Sequence, residues 1–124
     1  ERIIAETDFF VAYAPYASRT PFEIRIMPKK HQASFGEIGD REAADFAATL
    51  RRILARIHKG LANPDYNFII RSVTVGDEND KYFHWYMVII PKLTTPAGFE
   101  IGTGIYINVT YPEACAEFLK SVEI

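Results

Sequence analysis

Residues 82–90 read Tyr-Phe-His-Trp-Tyr-Met-Val-Ile-Ile, a run without glycine, proline or an acidic side chain. Aromatic and β-branched residues of this kind suit a pleated backbone. A period of two puts Tyr82, His84, Tyr86, Val88 and Ile90 on one face and Phe83, Trp85, Met87 and Ile89 on the other. Both faces are apolar, which predicts a central strand covered on each side. The chain must build a sheet around this strand and cover that sheet.

The flanking sequence supplies both parts. Ile3 to Glu6 and Phe9 to Tyr13 read as strands around a turn at Thr7-Asp8. After a loop from Pro15 to Pro21, Phe22 to Ile26 alternates apolar and charged residues, the pattern of a half-buried strand that Pro28 ends. His31 to Glu37 is a polar connection. From about Arg41 to about Lys59, Phe46, Leu50, Ile53, Leu54 and Ile57 form one apolar stripe at helical spacing, continued by Leu61. Asp40 is the expected N-cap, Glu42 suits the positive end of the helix dipole, and Gly60 is the expected stop. Arg51, Arg52, Arg56 and Lys59 read as a solvated face. Asn63-Pro64-Asp65 is a turn, Tyr66 to Val75 a strand, and Gly76 to Lys81 an acidic loop. Beyond residue 90, a loop with Gly98, Gly102 and Gly104 leads to a short strand from Ile105 to Val109. Thr110 and Glu113 make a capping-box pattern before a last helix to about Val122. Strands, one long helix, more strands and a terminal helix predict an α+β fold with a mainly antiparallel sheet.

At 124 residues this is one domain, and 48% hydrophobic residues give it material for a core. A net charge of −2 excludes the basic excess of a nucleic-acid binder, while leaving room for a small nucleotide or sugar phosphate. No apolar run reaches transmembrane length and no signal peptide is visible. The chain opens on Glu1-Arg2-Ile3-Ile4, without an initiator Met, and reads as excised from something longer. The single cysteine, Cys115, precludes an intrachain disulfide or a CxxC zinc site within the chain, and reads as a buried helix residue.

Few residues point to chemistry. His58, beside Lys59 at the end of the long helix, reads as a surface histidine. His84, mid-strand among aromatics, reads as a hydrogen-bonded core residue or a ligand. His31 alone is uninformative. Two imidazoles make at most half of a tetrahedral zinc site. No G-x-S-x-G or Cys/His nucleophile motif occurs, and the glycine cluster matches neither a P-loop nor G-x-G-x-x-G. Those glycines can still bring backbone N–H groups close to an anionic or hydroxylated ligand, and Glu100 can accept from sugar hydroxyls. An ordinary turn with a solvated Glu is the plainer alternative. Asn108-Val109-Thr110 fits a glycosylation sequon only by chance.

Three stretches together carry a resemblance. They are Ala14-Pro15 with Pro21-Phe22-Glu23 and Pro28-Lys29-Lys30-His31; Asn63-Pro64-Asp65-Tyr66-Asn67; and His84-Trp85 followed by Pro91, Gly98-Phe99-Glu100, Gly102-Thr103-Gly104 and Ile107-Asn108. Over essentially its whole length the chain resembles the C-terminal half of the galactose-1-phosphate uridylyltransferase family, a branch of the histidine-triad (HIT-like) superfamily. The resemblance implies a HIT-like fold and a cytoplasmic enzyme of galactose metabolism that transfers a nucleotidyl group between a UDP-sugar and a sugar 1-phosphate. Its nucleophile is the histidine of an H-P-H motif, absent here, so the resemblance places catalysis in an N-terminal half of the same protein. It implies zinc, with His31 and His84 supplying two ligands and a CxxC upstream of residue 1 the others. It also implies that Ala97, Gly98, Phe99 and Glu100 contact the hexose phosphate, commonly across a homodimer. Tyr86 stands where many relatives carry a second histidine. A relative that transfers adenylyl groups from ADP-glucose, and a non-catalytic nucleotide or sugar-phosphate binding domain, are the competing expectations. A stand-alone HIT hydrolase is set aside, because His84-x-Tyr86-x-Val88 keeps one of three triad positions.

Overall fold

The computed structural model describes residues 1–124. Five antiparallel strands form one sheet in the order β1-β2-β3-β5-β4. They are β1 (Ile3–Glu6), β2 (Phe10–Tyr13), β3 (Ile24–Pro28), β4 (Tyr66–Arg71) and β5 (Tyr86–Pro91). Three helices accompany them: α1 (Asp40–Gly60), α2 (Gly98–Thr103) and α3 (Pro112–Ser121), with a short 3-10 turn at Phe35–Glu37. This is the predicted α+β architecture.

One sheet face meets α1 and α3. Ile4, Phe10, Ala12, Ile24, Ile26, Met87 and Ile89 from the strands pack with Phe46, Ile53 and Ile57 of α1 and Ala116 and Leu119 of α3. At its centre is Trp85, fully buried, its ring 5.0 Å from Phe35, 5.6 Å from Phe46 and 5.9 Å from Phe10. The tilted and edge-on angles are those aromatic quadrupoles prefer. Asp45 of α1 anchors the opening hairpin, accepting from the Thr7 hydroxyl at 2.7 Å and the Phe9 N–H at 3.2 Å. Cys115 is buried and unpaired, as expected.

Several boundaries differ from the sequence reading. The long strand starts at Tyr86, because the Asp80 carboxylate draws in the N–H groups of Tyr82 (2.7 Å) and Phe83 (2.9 Å) and curls the backbone. Helices cover it on one face only: Trp85, Met87 and Ile89 meet them, while Tyr86, Val88 and Ile90 line a depression on the outer face, with Val88 buried and the other two half-buried. β3 begins at Ile24, because Phe22 has a φ of 59°. β4 ends at Arg71; beyond it the Ser72 hydroxyl accepts from the Phe35 N–H and the Val73 N–H turns to the Ala33 carbonyl.

The α1 caps shift as well. Gly39 is the N-cap, and Glu42 accepts its N–H at 3.0 Å. Gly60 is the last helical residue, and the left-handed positions that close the helix are Ala62 and Asn63. Gly60 is small for packing instead: a Cβ there would lie 2.7 Å from Val122 Cγ2 and 3.1 Å from Phe118 Cε1. The glycine loop contains α2. Glu100 accepts the Ala97 N–H at its start, the Thr103 hydroxyl donates to the Phe99 carbonyl, and Gly104 closes it at φ 69°. Residues 105–109 form no strand. Two of their five amides go to side chains, Ile105 N–H to Thr103 Oγ1 and Ile107 N–H to Glu100 Oε1, and are lost to a ladder. Thr110 spends its hydroxyl on Asn108, so α3 starts from Tyr111 with Pro112 in its first turn.

Two outcomes follow from these caps. The Glu42 carboxyl is held below its usual range, first by the Gly39 N–H and then by the Gln32 amide. A lowered folded pKa stabilises above the unfolded value, near 4.5, and that contribution is lost as pH falls through the lower folded value. Glu42→Ala should therefore cost about 1 kcal/mol at pH 7, read as a lower urea midpoint, and the gap from wild type should close in acid. Gly60→Ala should lower the midpoint despite the gain in helix propensity, by about 1 kcal/mol, since overpacking outweighs it.

Candidate functional site

His31 follows β3 and His84 precedes β5, and these strands pair antiparallel. The end of one therefore meets the start of the other. Gln32 fixes the junction: its carbonyl accepts the Trp85 N–H at 2.9 Å, and its side-chain oxygen accepts the indole N–H at 3.2 Å. The preceding residue on each side is a histidine, and the two rings lie edge to face with centroids 5.4 Å apart. Residues distant in sequence are thus neighbours through one bridge.

His84 is half-buried and His31 exposed. His84 Nε2 lies 2.7 Å from the Pro28 carbonyl. A carbonyl oxygen only accepts, so Nε2 carries the proton, and the lone pair of the neutral ring is on Nδ1. No third His, Cys, Asp or Glu joins them in a metal-holding group. The pair fits half of a tetrahedral site.

His31 borders a polar depression of about 480 Å³ together with Lys30, Glu37, Glu78, Asp80 and Lys81. The N–H groups of Phe83 and then Tyr82 hold the Asp80 carboxyl below its usual range, and His31 adds a smaller charge effect. The Gly76 N–H does the same for Glu78. Asp80 was missed in the sequence; the Asn79-Asp80 pair before the aromatics was the available turn signal. His58 is exposed and bonds Asn63 across the end of α1, a structural role.

The second expected site, Ala97 to Glu100, lies at the start of α2. Ala97, Gly98 and Phe99 are exposed, with Phe99 presenting an open ring. Glu100 is half-buried, and both its oxygens are engaged, Oε2 with the Ala97 N–H at 3.2 Å and Oε1 with the Ile107 N–H at 3.0 Å. It ties the loop shut while each oxygen keeps a further lone pair for a ligand. No hydrogen bond joins this loop to the histidines. Around it Ile101, Ile105, Ile107, Val109 and Tyr111 are exposed, a run of apolar surface unusual in a free-standing domain. A second apolar feature, a groove of about 240 Å³, runs between α1 and edge strand β4, lined by Leu50, Leu54, Tyr66 and Phe68 among others.

Comparison with known proteins sets this geometry in a class and then in a family. The chain superposes on a zinc-bound histidine triad family protein from Mycobacterium smegmatis with a TM-score of 0.66 at 18% identity, covering 96% of this chain and 81% of that one. The fold is HIT-like. The profile of the family described as galactose-1-phosphate uridyl transferase, C-terminal domain, matches residues 1–105, and the chain belongs to that family. An ADP-glucose phosphorylase from Arabidopsis thaliana is 40% identical over 124 residues, covering 98% of this chain and 35% of the relative. A crystal structure of an Arabidopsis thaliana ADP-glucose phosphorylase, with ADP-glucose bound, superposes with a TM-score of 0.91, covering 98% of this chain and 40% of that one. A galactose-1-phosphate uridylyltransferase from Thermotoga maritima is 30% identical over 133 residues, covering all of this chain and 42% of its own. The chain thus spans about two fifths of the length of these relatives.

Glu100→Ala should release the 97–107 loop. The Ile107 amide should exchange with solvent at least tenfold faster, while amides of β5 keep their protection; hydrogen exchange resolved by residue measures both.

Proposed function

We propose that this chain is the C-terminal domain of a UDP-glucose–hexose-1-phosphate uridylyltransferase, which moves a nucleotidyl group between sugar phosphates. The observation that carries this is the family match over residues 1–105, supported by similarity across the whole of this chain to part of a named uridylyltransferase. In the reaction, a histidine attacks the α-phosphorus of UDP-glucose and releases glucose 1-phosphate. A phosphate oxygen of galactose 1-phosphate then attacks the nucleotidyl-histidine, releasing UDP-galactose and freeing the histidine. That histidine maps onto no residue of this chain and belongs to an N-terminal half of the same protein.

The roles left to this domain are binding and positioning. The exposed residues Ala97, Gly98 and Phe99 suit contact with the hexose phosphate, with Glu100 shaping the loop through the Ala97 and Ile107 amides. The apolar surface from Ile101 to Tyr111 and the groove beside β4 suit docking of the N-terminal half and of a second subunit in a homodimer. His31 and His84 would supply two ligands to a zinc ion that orders this junction, the other two coming from outside the chain. No helix is long and apolar enough to cross a membrane. On the family resemblance alone we assign the enzyme to the cytoplasm.

A second reading rests on the 40% identity to the ADP-glucose phosphorylase, under which the parent transfers adenylyl groups from ADP-glucose. One experiment separates the two. The full-length parent is incubated with UDP-glucose or ADP-glucose labelled in the nucleotide. Labelled protein from UDP-glucose, discharged by galactose 1-phosphate, is the expected result. Labelling by ADP-glucose alone would select the second reading, and labelling by neither would leave a binding domain. The isolated 124-residue chain should take up no label from either.

A further inference from the structure

The outer face of the sheet carries a feature the proposed function does not use. A depression of about 310 Å³ is walled by alternate residues of three strands, Arg25 of β3, Ile69 and Arg71 of β4, and Tyr86, Val88 and Ile90 of β5, and by the segments holding Arg19 and Tyr106. Three guanidinium groups from separate stretches therefore gather around one hollow, in a chain whose net charge is −2. The only carboxylate among them is Glu23, 3% exposed, which accepts the backbone N–H of Arg19 at 2.8 Å and pairs with the Arg25 guanidinium at 3.5 Å. Arg19 and Arg71 form no ion pair. Holding like charges together is unfavourable unless an anion offsets it.

A further observation favours an anion. Two of the three guanidiniums are pre-oriented: Arg25 lies over the Tyr86 ring at 5.0 Å, and Arg19 over the Tyr106 ring at 5.4 Å. Stacking of this kind fixes the planar fork and reduces the entropy lost when it grips a phosphate bidentately. The remaining wall, Ile69, Val88 and Ile90, is apolar and fits a carbon skeleton.

We propose that this face binds a small organic phosphate monoester, its phosphoryl group held by Arg19, Arg25 and Arg71 and its organic part against Tyr86, Tyr106 and the aliphatic floor. The site is separate from the His31–His84 pair. It adjoins the 97–100 loop only through Tyr106, one residue before the amide that Glu100 holds.

The test is an NMR titration of the ¹⁵N-labelled chain at constant ionic strength, with glucose 1-phosphate and with inorganic phosphate as probes. Saturable shifts are expected at Ile69, Arg71, Tyr86 and Val88, with glucose 1-phosphate binding more tightly than phosphate. Arg71→Gln, an exposed position whose loss leaves the core intact, should weaken binding at least tenfold, as should Arg19→Gln. Unchanged affinity in both variants, or shifts confined to residues 97–103, would overturn the site; the second result would leave the sugar-phosphate loop standing. Equal affinity for the two probes would overturn the organic half of the assignment.

Discussion

The double grip of Gln32 on Trp85 is the contact on which the other features depend. One backbone and one side-chain hydrogen bond hold the indole at the centre of an aromatic cluster that touches β2, α1 and the 3-10 turn. The Gln32 amide reaches Glu42 in turn, so the same residue connects the core to the start of the long helix. The indole N–H in a buried place needs an acceptor, and truncating such a ring typically costs about 3–5 kcal/mol. The histidine pair is a by-product of this grip, because each imidazole is one residue from a gripped partner. Fold stability and site geometry are thus set by one interaction.

The period of two from Tyr86 to Ile90 was legible, as was the apolar stripe of α1, because both patterns report burial against a neighbouring layer; residues 82–85 carry the same alternation without forming strand. What the pattern could not carry was coverage. Tyr86, Val88 and Ile90 look as apolar as Trp85, Met87 and Ile89, yet only the latter set meets helices. The arginines opposite them come from Arg19, Arg25 and Arg71, too far apart in sequence to form a visible motif. Strand ends were hidden for a similar reason. They are set by single side chains, Asp80 and Ser72, that capture or redirect backbone amides.

The glycine-rich loop shows the same limit differently. Its composition suggested an open turn, and its physics makes a short helix. Glu100 was legible as a residue of interest through family resemblance. Its two hydrogen bonds to the backbone, which give the loop its shape, needed the fold. His31 and His84 were recognisable only as members of a motif, and the antiparallel pairing of β3 with β5 supplies the physical reason that they meet.

β4 pairs with β5 on one side and with nothing on the other. Its sequence, Tyr-Asn-Phe-Ile-Ile-Arg, is aromatic and β-branched, and Tyr66, Phe68 and Ile69 stand exposed on it. No proline, bulge or lysine blunts that edge, and such an edge templates the addition of a further strand. A covering partner would turn this row of free amides and carbonyls into the middle of a wider sheet. Without one, the same row recruits whatever extended backbone it meets, so concentration and colloidal state govern the behaviour of the separated domain as much as its fold does.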